Sequence, residues 1–334
     1  MFTVDSIGPA VIFCVITMLG WGSWANTQKL AGKTSWPFEL YYWDYAIGVF
    51  LLSVVFLFTL GSSGSSGTAG MAAMPNLAAA SGTNIARAAI SGVVFNISNI
   101  LLVVAIDAAG MSVAFPVGVG LALVIGTVTS YLQHPKGNPA ALFGGVAFVV
   151  FAMVMSALAH SKLPRAAGRG WARGLVFAVI AGCLMGYFYP QLMSSVSPDF
   201  NTAPIRPEFL TPYTALFFFA AGLLASNLVV NTVFMRAGGR TYREYFAGTP
   251  KLHLLGIAGG AIWMLALGLN VIASGVAGPA VSYALGQGAT LVAAIWGVFI
   301  WKEFRNAPAG TAPFIWLMFA GYAIGLSLIG AATL

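Results

Sequence analysis

Three polar side chains at helical spacing form the most informative group in this sequence. Tyr283, Gln287 and Thr290 stand at positions i, i+4 and i+7 of an otherwise apolar stretch, residues 278–301. This spacing places them on one face of an α-helix. A side-chain amide offers both a hydrogen-bond donor and an acceptor. We therefore favour ligand contact for Gln287, with hydrogen bonding between neighbouring helices as the alternative interpretation of the group.

Further side-chain amides lie in two other apolar stretches. Asn96 and Asn99 are three positions apart and share one face of a predicted helix at residues 88–107. Ligand contact and interhelical hydrogen bonding fit this pair equally well. For Asn227 and Asn231, which lie in a later predicted helix, we favour interhelical hydrogen bonding.

Aromatic side chains accompany sites where a helix could bend. Trp21 and Trp24 stand at i and i+3 in GWGSWANTQK, and Tyr189 precedes Pro190 in GYFYPQ. Proline removes a backbone hydrogen bond and bends a helix. Paired aromatic rings beside such bends would suit stacking on a planar ligand. For the two tryptophans, an aromatic belt at the membrane interface is the alternative.

One carboxylate lies within an apolar stretch. Asp44, in YYWDYAIGVFLL, falls in the first turns of a predicted helix at residues 40–60. A carboxyl group withdrawn from water there could bind and release a proton, as a proton-coupled carrier requires. The alternative is a carboxylate that the dipole at the helix N-terminus stabilises.

The residues of common catalytic and metal centres are not arranged as such centres require. The sequence contains neither H-E-x-x-H nor G-x-S-x-G. His134, His160 and His253 all stand near predicted helix ends without acidic neighbours. We therefore predict that the protein is not an enzyme and needs no metal or cofactor, with a proton as the expected coupling ion.

The composition is that of a membrane protein. The 334 residues are 59% hydrophobic and only 7% charged, whereas a soluble domain carries roughly a quarter charged residues. Residues 254–301 contain no charged side chain, which is enough for two membrane spans of about 20 residues each. Spans of this length are helices, so we predict an all-α protein in the lipid bilayer. The net charge of +7 lies in short loops and does not indicate nucleic acid binding.

The predicted helices divide into two sets of five. Ten apolar stretches predict ten transmembrane helices, and the most basic connection, residues 161–173, follows the fifth. We expect one five-helix repeat at residues 1–160 and a second at residues 174–334. The predicted helices lie at residues 7–28, 40–60, 88–107, 111–132, 139–159, 174–194, 211–234, 254–274, 278–301 and 311–333.

An internal repeat supports this division. Residues separated by 168 positions match: Gly110 with Gly278, and Gly92 with Gly260. Further pairs at the same offset are Gly118 and Gly286, Gly120 and Gly288, and Asn138 and Asn306. Because each repeat has an odd number of helices, the two repeats must have opposite orientations in the membrane. This arrangement is typical of transporters.

The basic residues predict the orientation. Twelve of the 15 Lys and Arg residues fall in the loops that follow the odd-numbered predicted helices. Basic loops stay in the cytoplasm, so we expect a multi-pass protein of the cell (inner) membrane with both termini outside the cytoplasm. The oligomeric state does not follow from the sequence.

Five motifs, in this order, are similar to those of a known family. They are GSWANTQKL, YYWDYAIG, SGVVFNISN, LTPYTALFFF and ALGQGATLVAAIWGVFIWKEFR. Through them the chain resembles the ureide permease family of the drug/metabolite transporter superfamily, and the related glucose/ribose uptake porters share the layout. Trp24, Asp44, Asn99 and Glu303 fall on the family's pattern. The long central loop with a nucleotide-binding-like glycine motif, which plant members carry, is absent from this sequence.

The resemblance implies a ten-helix, five-plus-five carrier for proton-coupled import of allantoin, other ureides, uracil or related nucleobases. Together with the residues, it predicts a secondary transporter that works by alternating access on a small neutral solute. We expect Gln287, Tyr283 and Asn99 to hold that solute near the membrane midplane, and Trp24 or Tyr189 to stack on it. A monosaccharide uptake porter and a metabolite exporter are the alternatives.

Overall fold

A computed structural model describes residues 1–33, 36–64, 70–163 and 170–333. Its regular structure in these ranges is helical, apart from a single β-bridge between Val196 and Leu210. Part of the predicted basic linker, residues 164–169, lies outside the described residues.

Fourteen α-helices and one π-helical segment are present in the described ranges. They are α1 (Ile7–Ser23), α2 (Ala25–Gly32), α3 (Phe38–Phe58), α4 (Ala73–Ala79), α5 (Gly82–Ala109), α6 (Met111–Gln133), α7 (Pro139–Ser161), α8 (Trp171–Met193), α9 (Pro212–Ala237), α10 (Tyr242–Phe246), α11 (Pro250–Ala277), α12 (Pro279–Gly286), α13 (Ala289–Ile295), the π-helical segment Trp296–Ile300 and α14 (Ala312–Ala331). Ten spans among them are long and apolar enough to cross a membrane. The predicted all-α membrane class and the number of spans are confirmed.

The outer faces of the spans are apolar, as contact with lipid tails requires. Helix α9 shows this best: Leu228, Val229 and Val233 have exposed fractions of 62%, 66% and 65%. Its polar residues Asn227 and Asn231 are fully buried on the opposite side. Polar groups within a bilayer are placed inside the protein because exposure to lipid is unfavourable.

Local sequence signals set the helix starts. Helix α7 begins at Pro139, whose fixed backbone suits the first helical position, and the Asn138 side chain accepts hydrogen bonds from the next two backbone amides. Gly110 precedes α6 and Gly278 precedes α12, with φ angles of 82° and 84°. Residues other than glycine rarely adopt such backbone angles. The two glycines matched by the sequence repeat therefore have the same backbone role.

The chain forms two compact units, and each takes helices from both sequence halves. The first unit comprises residues 1–96 and 191–276, and the second comprises residues 97–190 and 277–334. The compact units thus differ from the sequence halves on either side of the basic linker.

Two helix crossings in the first unit are built in the same way. A Cβ atom added to Gly92 of α5 would lie 1.9 Å from the Phe219 carbonyl oxygen of α9. A Cβ atom added to Gly260 of α11 would lie 2.0 Å from the Tyr45 carbonyl oxygen of α3. Glycine at both positions lets the paired backbones touch. The sequence equivalence of the two glycines therefore extends to their packing.

The partner helices of these crossings also contribute glycines. A Cβ atom on Gly222 of α9 would lie 2.1 Å from the Ala89 carbonyl oxygen, and one on Gly48 of α3 would lie 2.1 Å from that of Ile257. Ala89 and Ile257 are themselves 168 positions apart. Each crossing is thus closed by glycines from both helices.

The second unit is also held by closely packed small residues. Gly145 of α7 and Gly325 of α14 face each other, so that a Cβ atom on either would lie within 2.8 Å of the other's carbonyl oxygen. Ala105, Ala114 and Ala178 form a buried cluster where α5, α6 and α8 meet.

Candidate functional site

The stripe around Gln287 lies at an interruption of its helix. The span predicted at residues 278–301 is present as Pro279–Ile300, and within it α12 ends at Gly286 and α13 begins at Ala289. The amides of Gly288 and Thr290 bond to carbonyls three residues back, at 2.9 Å and 3.2 Å. This tighter turn takes the place of regular α-helical bonding, and such stretches often mark functional positions.

The side-chain amide of Gln287 is available to a ligand. The residue is 9% exposed, and within the described ranges no residue hydrogen-bonds its side chain. The backbone around it is held by Thr290, whose hydroxyl donates to the Gln287 carbonyl at 2.9 Å. Thr290 also hydrogen-bonds Tyr322 of α14. The turn is therefore fixed, while the amide itself has no hydrogen-bond partner among the described residues.

Tyr283 has a clear structural role. Its ring stacks on that of Tyr189 with centroids 4.9 Å apart, and its hydroxyl donates to the carbonyls of Ala122 and Met185 at 3.3 Å and 3.4 Å. Helix α6 passes close to the ring at Gly126, where a Cβ atom would lie 2.3 Å from Tyr283 Cε1. The hydroxyl bridges α6 and α8, which is the interhelical alternative considered above.

The predicted site residues divide between the two units. Asn99, Tyr189, Tyr283, Gln287 and Thr290 lie in the second unit. The others, in the first unit, are Trp21, Trp24, Asp44 and Asn96.

The tryptophans pack inward in the first unit. Trp24 lies 4.9 Å from the Tyr45 ring, and Trp21 stacks on Trp263 at 6.0 Å. The indole Nε1 of Trp21 also donates to the Trp263 carbonyl at 3.3 Å. Phe95 adds a ring 4.2 Å from Trp263. Both tryptophans are only half-buried, so these contacts are compatible with solute stacking and with an interfacial aromatic belt.

The buried asparagines differ in their hydrogen bonds. Asn96 Nδ2 donates to Ser226 Oγ at 2.9 Å, and Asn231 Nδ2 donates to the Glu39 carbonyl at 3.0 Å. Neither amide atom of Asn227 has a hydrogen-bond partner in the described part of the chain. Interhelical bonding therefore describes Asn96 and Asn231, but not Asn227.

Asp44 is buried and meets two side chains from other helices. Its exposed fraction is 2%. Tyr245 of α10 donates its hydroxyl to Oδ1 at 2.7 Å, and His253 Nδ1 of α11 lies 2.9 Å from Oδ2. Helix α3 begins at Phe38, so Asp44 lies beyond its first turn. The helix dipole stabilises a carboxylate mainly within the first turn, so the dipole alternative fits Asp44 less well.

Two of the three histidines, His160 and His253, do have acidic neighbours, contrary to the sequence-based expectation. Besides the contact between His253 and Asp44, His160 Nε2 lies 3.8 Å from Glu303 Oε2. Asp44 and His253 are 209 positions apart, and no periodicity or motif connects them. In the described ranges, no group of three or more His, Cys, Asp or Glu side chains could hold a metal ion.

Ten apolar spans around buried polar side chains define a multi-pass, all-α membrane protein. Comparison with known proteins shows which members of this class the chain is similar to. The family model for ureide permeases matches residues 41–169, a range that includes Asp44, Asn96 and Asn99. Over its whole length the chain is 22% identical to Ureide permease 2 of Arabidopsis thaliana, covering 99% of that protein. Ureide permeases 4 and 1 of the same plant are 22% and 21% identical, with 99% of each covered.

These matches confirm the predicted resemblance: the chain is similar to the ureide permeases. A solved crystal structure of a protein also aligns with it, with a TM-score of 0.58 and 14% sequence identity. The alignment covers 97% of this chain and 98% of the other. At this level of identity, the likeness concerns the fold alone.

Proposed function

We propose that this protein is a secondary transporter for a small, neutral, planar solute, either a ureide such as allantoin or a nucleobase such as uracil. The observation that carries this proposal is the unpaired Gln287 amide at the interruption between α12 and α13. Interrupted membrane helices form the solute sites of many transporters. The names of the similar plant proteins supply the solute class.

The chemistry of Gln287 fits such a solute. Ureides and nucleobases carry N–H donors beside carbonyl acceptors, and one side-chain amide can pair with both. Residues 278–301 contain no charged group, and a charged solute would need a partner charge at its site. In this proposal Gln287 contacts the solute directly, Asn99 adds a second amide, and Thr290, Tyr283 and Tyr189 position the turn.

Alternating access and proton coupling complete the proposal. The matched crossings at Gly92 and Gly260 support two equivalent repeats, and inverted repeats that rock against one another are a common basis of alternating access. The burial of Asp44 supports a proton-coupling role for its carboxyl group. Both termini are assigned to the outside of the inner membrane on the basis of the loop charges. Solute contact by a further group of residues stays a prediction: Trp21, Trp24, Asn96, Tyr189, Tyr283 and Thr290.

Ligand-induced stabilisation tests the solute class and the role of Gln287. A ligand that binds only the folded state raises its stability by mass action. We expect uracil or allantoin, at millimolar concentration, to raise the melting temperature of the purified protein in detergent. The shift should disappear in Gln287→Ala and persist in Gln133→Ala, the same change at an exposed glutamine of the same unit.

Each other outcome has a clear meaning. A shift that Gln287→Ala retains would contradict the proposed contact. A shift with glucose or ribose alone would contradict the ureide and nucleobase class, and would assign the protein to the sugar porters instead.

A further inference from the structure

Three side chains from three helices form a cluster in the first unit, with a carboxylate at its centre. They are Asp44 of α3, Tyr245 of α10 and His253 of α11. His253 Nδ1 lies 3.0 Å from Oδ1 and 2.9 Å from Oδ2 of Asp44, and the Tyr245 hydroxyl lies 2.7 Å from Oδ1. The Asp44 side chain is 3% exposed, whereas that of His253 is 25% exposed. Within the pair of Asp44 and His253, the imidazole is therefore the group that solvent can reach.

Donors and acceptors follow once the Asp44 carboxyl group is taken as ionised. An ionised carboxylate only accepts hydrogen bonds, and it accepts one here from the Tyr245 hydroxyl. Nδ1 must carry a hydrogen to bond to the same group. A neutral imidazole with its hydrogen on Nδ1 has a free lone pair on Nε2. Nε2 is then the atom at which this imidazole gains a proton.

The surroundings fix the imidazole, whose side chain stays partly exposed. The rings of Trp36 and Tyr245 stand edge-on to it at 5.6 Å and 5.0 Å. Nε2 faces Gly248, where a Cβ atom would lie only 2.7 Å away. Gly248 therefore packs closely against the imidazole on this side, and solvent reaches the ring through the exposed quarter of the His253 side chain.

No other charge competes for the carboxylate among the described residues. The titratable groups that face Asp44 are His253 on α11, Tyr245 on α10 and, on its own helix, Tyr41. The Tyr41 hydroxyl is hydrogen-bonded to Thr27 at 2.7 Å. In the described ranges the one ion pair of Asp44 is with His253. Protonation at Nε2 thus converts a buried single charge into a compensated pair.

We propose that Nε2 of His253 binds the coupling proton, while Asp44 stays ionised and holds the imidazole in its Nδ1–H form. The proton adds to the Nε2 lone pair, and the carboxylate compensates the imidazolium charge; release is the reverse step. Tyr245 positions the carboxylate. This inference rests on the proposed proton coupling, and it moves the proton-binding atom from Asp44 to His253.

The tautomer of His253 tests the inference without any solute. We expect ¹⁵N NMR of histidine-labelled protein in lipid bilayers to show the Nδ1–H tautomer of His253 at high pH, with Nε2 becoming protonated as the pH falls. The resonances are assigned by their loss in His253→Gln, and His134 and His160 serve as internal controls. A neutral imidazole with hydrogen on Nε2 and none on Nδ1 would overturn the inference, since the proton would then belong to Asp44.

Transport assays separate coupling from solute binding. In proteoliposomes, His253→Gln should lose accumulation of uracil or allantoin driven by a pH gradient, but retain exchange of labelled for unlabelled solute. Glutamine can still donate to Asp44, and His160→Gln is the matched control. Accumulation that survives in folded His253→Gln would contradict the inference. If the wild type moves neither solute, the proposed function fails, whereas the NMR result still decides the tautomer.

Discussion

At the scale of single residues, burial alone does not reveal what a polar side chain contributes. Asn227 and Asn231 stand one turn apart on α9 and both are fully buried. Asn231 donates to the Glu39 carbonyl, whereas both amide atoms of Asn227 are unpaired in the described part of the protein. A buried polar group without a partner lowers stability, whereas a bonded one contributes modestly.

This contrast predicts opposite effects of the same substitution. We expect Asn231→Leu to lower the free energy of unfolding by about 1 kcal/mol, through loss of the hydrogen bond between helices. Asn227→Leu should leave stability unchanged or raise it. Melting temperatures of both variants in the same detergent provide the measurement. A comparable loss in Asn227→Leu would mean that its amide is bonded in the folded protein.

Tyr245 predicts a pH dependence of stability. Burial, together with the hydrogen bond to Asp44, raises the pKa of Tyr245 above its ordinary value. Above about pH 10 the tyrosine ionises in the unfolded chain but not yet in the folded protein, so its contribution to stability is present at lower pH and is lost as the pH rises. We expect the melting temperature of Tyr245→Phe to fall less steeply between pH 9 and pH 11 than that of the wild type.

Parallel pH profiles of the two proteins would contradict this assignment. Tyr242→Phe, on the same short helix, is the matched control because it lacks the bond to Asp44. Its profile should follow that of the wild type.

At the scale of helices, glycines determine where backbones touch. The crossings of α5 with α9 and of α11 with α3 place Gly92 and Gly260 against carbonyl oxygens of the partner helix. A methyl group at either position requires the helices to separate. Gly144 of α7 has no atom within 4 Å of the site where its Cβ would lie, and so is a suitable control.

We expect Gly92→Ala and Gly260→Ala each to reduce the free energy of unfolding by about 1–3 kcal/mol, as overpacking typically does. Gly144→Ala should be neutral or stabilising by up to roughly 1 kcal/mol, because alanine favours the helix. Thermal or denaturant unfolding in detergent measures all three. A large loss in only one of the two crossing variants would show that the crossings are not equivalent.

At the scale of the whole molecule, the two compact units combine helices from both halves of the sequence. The proposed solute contact, Gln287, belongs to the second unit, and the pair formed by Asp44 and His253 belongs to the first. The proposed solute contact at Gln287 and the proposed proton-binding pair therefore belong to different units. The variants Gln287→Ala and His253→Gln test the two functions separately.

The sequence by itself determined the class of the protein and the number of its spans. Lipid requires that every backbone polar group be bonded within the span, so each crossing needs its own apolar stretch of about 20 residues. That requirement is local and can be read from composition. The placement of Asp44 within a span followed in the same way, and the 168-residue offset matched glycines that prove equivalent in packing.

Only the tertiary structure decided which polar groups meet. His253 lies beside Asp44, and the Tyr283 hydroxyl lies beside the carbonyls of Ala122 and Met185. These partners are far apart in sequence, and helical periodicity describes only neighbours within the same helix. Helix packing determines the rest, including which buried amides are bonded and which, like Gln287, have no partner in the part of the chain that the structure describes.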